Sequence, residues 1–274
     1  MKAFHLSTTL VFVIFLLSGC STSTHHRYSQ SQDGAPKHKI DVSTIPDAVP
    51  MVEPLSKHGN PKKYTVLGKT YYVQASNKHF EETGIASWYG TKFDAFKTSS
   101  GEAYDLAKMT AAHKTLPIPC YAKVTNLSNG RQVIVKVNDR GPFAANRVMD
   151  LSYVAAVKLG IWPKGTGLVK IQTIDPANWQ GLEADAGDIH HVPVSANPQI
   201  YMQLGAFKSK ENADHLVEKI QKVSQNPIAV RSCNVNDETL YKVWIGPLAT
   251  VDKSDSLQAL IEANQLGTPL TVIQ

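Results

Sequence analysis

Two polar interruptions limit this chain to two small cores. Residues 21–60 are rich in Ser, Thr, His, Pro and Gln, and residues 175–197 turn acidic, with Asp175, Glu183, Asp185 and Asp188. Neither stretch holds enough apolar side chains to build a core of its own. The first reads as a tether over 20–60 and the second as a linker over 175–197. The rest of the 274 residues leaves room for about two compact domains. Their hydrophobic periods differ, so they belong to different classes: short strands dominate 84–174, whereas strands and amphipathic helices alternate over 198–274.

Ahead of the tether, Lys2 precedes an unbroken apolar stretch, Leu10 to Leu17. It is too short to cross a bilayer and fits the core of a secretory signal. Leu17-Ser18-Gly19-Cys20 resembles a bacterial lipoprotein signal. That resemblance implies removal of residues 1–19, acylation of Cys20 and a membrane partner reached through the lipid. Ser21 in place of Asp resembles the pattern sorted to an outer membrane, so the chain is expected to face the periplasm. The net charge of +5 is mild and suits an anionic envelope polymer. No zinc or helix-turn-helix signature points to nucleic acid. Cys120 and Cys233 read as two isolated thiols, no Cys/His spacing predicts a metal, and His25-His26 and His190-His191 read as solvated loops.

Tyr64 to Leu67, a turn at Gly68-Lys69 and Thr70 to Val73 predict a hairpin within an extension over 61–83. Gly84 to Gly90 reads as the first strand of the next domain. Tyr121 to Thr125 and Gln132 to Asn138 flank Asn129-Gly130, a hairpin turn signal, and Val133, Val135 and Val137 share one face. Asp150-Leu151-Ser152 leads into a short helix, Tyr153 to Leu159, closed by Gly160, and Leu168 to Ile174 is a final strand. Short strands with few helices predict a compact barrel. Beyond Gln199 the order is strand 200–207, helix 210–223, strands 228–233 and 240–245, helix 252–265 and strand 271–273. That βαββαβ order predicts a ferredoxin-like sandwich, so the whole is mainly β plus α+β.

The barrel segment gathers titratable residues near turns: Glu102, Asp105, His113, Asp139 and Asp150. Carboxylates and one histidine, with no nucleophilic Ser or Cys arrangement, point to acid–base work on a glycosidic bond. Each also has a structural use. Asp150 or Ser152 can cap the helix, and Asp139 can bond its own turn or pair with Arg140 or Arg147. Glu102 can be a solvated charge, and His113 a satisfied core imidazole.

Gly84-Ile85-Ala86-Ser87-Trp88-Tyr89-Gly90, Ser100-Gly101-Glu102, Thr110 to Pro117, Asn138-Asp139-Arg140-Gly141-Pro142-Phe143 and Asp150-Leu151-Ser152 resemble the rare lipoprotein A family. The likeness runs from the signal through residue 274. It implies a double-psi β-barrel over 84–174 followed by a sporulation-related repeat (SPOR) domain over 198–274. It also implies a lytic transglycosylase, needing no cofactor, that acts on peptidoglycan lacking stem peptides. Such an enzyme cleaves between N-acetylmuramic acid and N-acetylglucosamine and leaves a 1,6-anhydro ring. Asp139 and Asp150 resemble the paired aspartates of related double-psi barrels, expansins included. This implies Asp150 as the acid and base, with Asp139 raising its pKa or holding the sugar. Glu102 and His113 are implied to be essential, Glu102 by stabilising positive charge at the anomeric carbon or by acting as the acid. Asp105 is the lesser member of the set. Trp88 and Tyr89 would offer faces to a sugar ring, or else pack in the core, and Arg140 reads as a substrate contact. Two departures, Phe93 to Lys97 in place of a basic, glycine-containing stretch and Pro117 to Cys120 in place of Gly-Thr, bear on substrate preference and rate.

Tyr201 to Phe207 and Tyr241 to Pro247 resemble the SPOR signature, which implies binding to naked glycan strands at division septa. Period two puts Met202, Leu204, Val243 and Ile245 against the helices and Tyr201, Gln203, Lys242 and Trp244 on the other face. An exposed Trp244 beside Gln203 and Lys242 would make a sugar platform; a Trp tucked under a loop is the alternative. For the whole chain the alternative is a peptidoglycan-binding lipoprotein without catalysis, its barrel gripping glycan as expansins do.

Overall fold

The computed structural model describes residues 33–180, 190–192 and 198–274. The signal sequence, Cys20 and most of the acidic linker lie outside the described residues.

A hairpin of β1 (Lys63–Val66) and β2 (Lys69–Tyr72) precedes the barrel. Its turn is Leu67-Gly68, both with positive φ, one residue earlier than the predicted Gly68-Lys69. The barrel follows as β3 (Glu81–Tyr89), β4 (Thr110–His113), β5 (Cys120–Asn126), β6 (Arg131–Asp139), β7 (Arg147–Ser152), α1 (Tyr153–Leu159) and β8 (Gly167–Ile174). The strand order β4-β7-β3-β8-β5-β6 is closed by a β4–β6 pairing. Two pairings, β3 with β7 and β4 with β6, are parallel and the rest antiparallel, which makes this six-stranded closure a double-psi barrel. Val133, Val135 and Val137 alternate into its core as predicted, each burial contributing roughly 1.5–3 kcal/mol. Gly84 allows the parallel β3–β7 approach, because a Cβ there would overlap the Val148 side chain. The α1 cap is Ser152, whose hydroxyl accepts from Ala155 N, and Gly160 closes the helix in the left-handed region.

Residues 33–60 do not hang free, which corrects the tether expected over 20–60. They form a strap along the barrel. Asp47 Oδ2 accepts from Ile134 N (2.8 Å), Ala48 N donates to Ile134 O (3.1 Å), and Ser56 N donates to Ile118 O (3.0 Å). Ile40, Val42 and Ile45 pack on the core. The strap needs no core of its own because it completes the barrel's. The linker is also partly ordered: β9 (His190–His191) adds to β6 opposite Gln132 and Arg131, where a loop was expected.

The second domain comprises β10 (Ile200–Phe207), α2 (Lys210–Gln221), β11 (Ile228–Val235), β12 (Glu238–Leu248), α3 (Val251–Ala263) and β13 (Leu270–Ile273). Its antiparallel sheet, ordered β11-β12-β10-β13, is the ferredoxin-like arrangement that the element order predicted. This domain docks on the barrel. Ile85 and Leu168 share an apolar cluster with Ile200 and Ile273, and Arg147 donates to both Asp255 oxygens (3.0 and 2.6 Å). Thr271 Oγ1 donates to Asn146 Oδ1 (2.7 Å).

Candidate active-site cleft

A cleft of about 800 Å³ opens on the barrel where β3, β6 and β7 end, and it holds both Asp139 and Asp150. Asp150 sits mid-strand in β7, opposite Ser87 of β3 and Ala112 of β4. Ser87 Oγ donates to its Oδ1 at 2.5 Å. Gly141 passes beside its other oxygen, Oδ2, with φ +138°, a conformation that glycine adopts without strain. Asp150 is part-exposed at the cleft surface but enclosed by protein on most sides. Burial holds its pKa above the usual carboxylate range. The charge of Asp139 pushes the same way, while the Ser87 hydrogen bond, Arg147 and Lys114 oppose it. Asp139, at the end of β6, is fixed by three donors on Oδ1: Ser99 N (2.7 Å), Ser99 Oγ (2.6 Å) and Arg140 N (2.7 Å). Two carboxyls thus share one groove, one of them inclined to keep its proton.

The other three expected acid–base residues do not converge there. Glu102 lies outside the cleft, accepting from Asn138 Nδ2 (2.7 Å) and pairing with Lys136 (2.9 Å), which also binds Glu53 (2.8 Å). Asp105 closes an Asx turn on Ala107 N (2.9 Å). His113 is 2 % exposed and does not line the cleft. Its Nδ1 accepts from Thr115 N (3.2 Å) and Leu116 N (3.1 Å), which leaves Nε2–H to donate to Glu82 (2.9 Å). This bracing acts through Arg140, whose guanidinium donates to the His113 and Leu116 carbonyls, Gly59 O (2.8 Å) and Asn60 Oδ1 (3.0 Å). Arg140 thus braces the Asp139 loop while it lines the cleft, and His113 presents its carbonyl to that brace.

Trp88 lines the cleft, held edge-on by Trp162 (5.4 Å) and Tyr153 (5.7 Å). Tyr89 borders it but is 8 % exposed and packs on Tyr104 at 4.2 Å, so its ring belongs to the core. Sequence reasoning gave no role to Ser87, Ser99 or the hairpin, whose Tyr64 stacks on Tyr71 and walls the cleft beside Phe143. For Ser87 there was a signal: it is the one small polar side chain in the run Ile85-Ala86-Ser87-Trp88-Tyr89.

On the second domain, Tyr201, Gln203, Lys242 and Trp244 do share the sheet face away from the helices, and Gln203 pairs with Trp244. Trp244 is not exposed, however, at 8 %. The guanidinium of Arg231 lies 4.4 Å over its ring and 5.1 Å from Tyr201. A cation on the neighbouring strand β11 claims the face that was expected to be open. No group of three or more His, Cys, Asp or Glu placed to hold a metal occurs among the described residues.

Comparison with known proteins agrees with this division. A lytic transglycolase family model matches residues 81–172 and a SPOR domain model matches 196–269. The chain is 37% identical to the endolytic peptidoglycan transglycosylase RlpA of Pseudomonas aeruginosa strain UCBPP-PA14, covering 94% of this chain and 93% of that one. It is 51% identical to RlpA of Vibrio cholerae over 90% and 89%. The crystal structure of the RlpA SPOR domain from Pseudomonas aeruginosa is 32% identical, covering 27% of this chain and 96% of that one, at a TM-score of 0.26.

Proposed function

Because the chain belongs to the RlpA family of endolytic peptidoglycan transglycosylases, we propose that its cleft cuts the bond from N-acetylmuramic acid to N-acetylglucosamine in strands lacking stem peptides. The observation that carries this is Asp150: a carboxyl made reluctant to ionise by burial, in a groove of sugar size, beside a second carboxylate. Asp150 donates its proton to the bridging oxygen as the bond to C1 breaks. Positive charge developing on C1 and the ring oxygen is met by Asp139, held in place by Ser99 and the Arg140 amide. The 6-hydroxyl of the same muramyl ring then attacks C1 and returns its proton to Asp150. The acid is regenerated, no water is consumed, and the product is a 1,6-anhydro end. Trp88 supplies an apolar wall for a sugar ring.

The SPOR domain supports peptidoglycan as the partner and the cell envelope as the location. Lipidation at Cys20, sorting to the outer membrane and enrichment at the septum complete the proposal, resting on Leu17-Ser18-Gly19-Cys20 and on the SPOR match. Labelled palmitate incorporated by the wild type and lost in Cys20→Ala tests the anchor. The activity is tested by digesting stem-peptide-free peptidoglycan and weighing the products. Anhydro ends are expected from the wild type, and Asp150→Asn should lower their rate by about 10²–10⁴. Products that gain water would mean a hydrolase, and binding without products a wall-adhering protein.

A further inference from the structure

The charges lining the cleft are ill-suited to an anionic polymer unless a cation is free to meet it. Three carboxyl groups, Asp33, Asp139 and Asp150, line the groove, against Lys97 and Arg140. Arg140 is spent on Gly59, Asn60, His113 and Leu116. The side chain of Lys97 makes no hydrogen bond or ion pair among the described residues and stands exposed at the cleft rim. Its main chain is nonetheless held. Lys97 bridges to Ala103, and Thr98 N, next in the chain, donates to Glu102 O (2.8 Å). Ser99, the clamp on Asp139, is two residues further on. Two residues span at most about 7 Å, so the Lys97 stem starts within that reach of Ser99, on the same wall of the cleft as the Asp139 clamp.

A muramyl ring carries a lactyl ether on O3, two ring carbons along from the C1 that reacts. In a strand without stem peptides that lactyl group ends in a free carboxylate; where a peptide is attached, it is a neutral amide. We propose that Lys97 forms the subsite for the lactyl carboxylate of the muramyl ring undergoing cleavage, and so reads the absence of the stem peptide. This rests on the muramyl-cleaving reading of the cleft above. A charge-assisted bond at a groove wall discriminates acid from amide because only the acid offers a full negative charge.

The test compares stem-peptide-free strands with lactyl carboxyls free or converted to methyl esters, using the full-length protein. The wild type should show kcat/KM about tenfold lower on the ester. Lys97→Met should act on the free acid no faster than the wild type acts on the ester, and lose the distinction; Lys97→Arg should regain it. Unchanged thermal unfolding of both variants verifies that the fold is intact. A Lys97→Met enzyme that still prefers the free acid as strongly as the wild type overturns the proposal. Should no form yield anhydro ends, the transglycosylase reading fails by itself. Calorimetric affinity for stem-free tetrasaccharides, acid against ester, then judges Lys97 by the same criterion, a preference in the wild type that is absent or present in Lys97→Met.

Discussion

A carboxylic acid donates a proton near neutral pH only if its surroundings oppose ionisation. At Asp150 burial does so, and Ser87 works against it, since its hydroxyl bonds the ionised form best. Ser87→Ala removes that counterweight. The pKa of Asp150 then rises further, and the alkaline limb of the pH–rate profile, where the acid loses its proton, moves to higher pH. The rate at the optimum should fall by about tenfold, because the carboxyl also loses the contact that orients it. A pH–rate comparison on stem-free strands checks both, and an alkaline limb that moved down would refute the assignment of Asp150 as the acid. Residue types near turns did not separate Asp139 and Asp150 from the other titratable groups; only the likeness to related double-psi barrels set them apart as a pair, and the cleft holds both. Glu102, Asp105 and His113 had the same types and similar positions, yet their side chains are directed into an ion pair, a turn and a brace. Spacing along a chain does not encode which way a side chain leaves a loop.

The strap shows the same limit for a whole segment. Residues 33–60 lack the periodicity of a helix or strand because their partners are the barrel's edge groups, not one another. Lys158, on α1, has a side chain only 7 % exposed, and its ion-pair partner is Asp47 of the strap (3.2 Å). Asp47→Ala would strand this cation and leave Ile134 N without its acceptor. A loss of about 3 kcal/mol in denaturant unfolding is expected, whereas a residue on a free tether would cost nothing. Asp47→Asn, which keeps an acceptor for Ile134 N but not the charge, should fall between. Strands β4 and β7 went unread for a related reason. Thr110–His113 is buried throughout, and Arg147–Ser152 mixes Arg, Asp and Ser with apolar residues. Burial of every residue hides the period of the first, and the cleft and docking contacts of Asp150 and Arg147 put polar side chains into the second, so neither shows the alternation that revealed β6. The second domain, with two helices packed on one sheet, displays its periods openly: every element was expected in order, though β11 and β12 run longer than expected.

Docking links the SPOR domain to the strand that carries Asp150. Arg147 begins β7, Asp150 lies three residues along it, and the Arg147 charge lowers the Asp150 pKa. Asp255, on α3, pairs with that guanidinium through both oxygens and offsets part of its field. Two substitutions that break the same bridge should therefore move the chemistry in opposite directions. Arg147→Ala removes the positive charge, Asp150 holds its proton more strongly, and the alkaline limb rises. Asp255→Asn leaves Arg147 without its counter-charge, Asp150 ionises more easily, and the limb falls. Both should weaken docking alike, by about 1–2 kcal/mol, and split thermal unfolding toward two transitions. Opposite shifts with equal uncoupling would establish that the second domain tunes the acid through Arg147. A limb unmoved by Asp255→Asn, with Arg147→Ala still effective, would show that the two domains work apart in solution and that Arg147 acts on Asp150 alone.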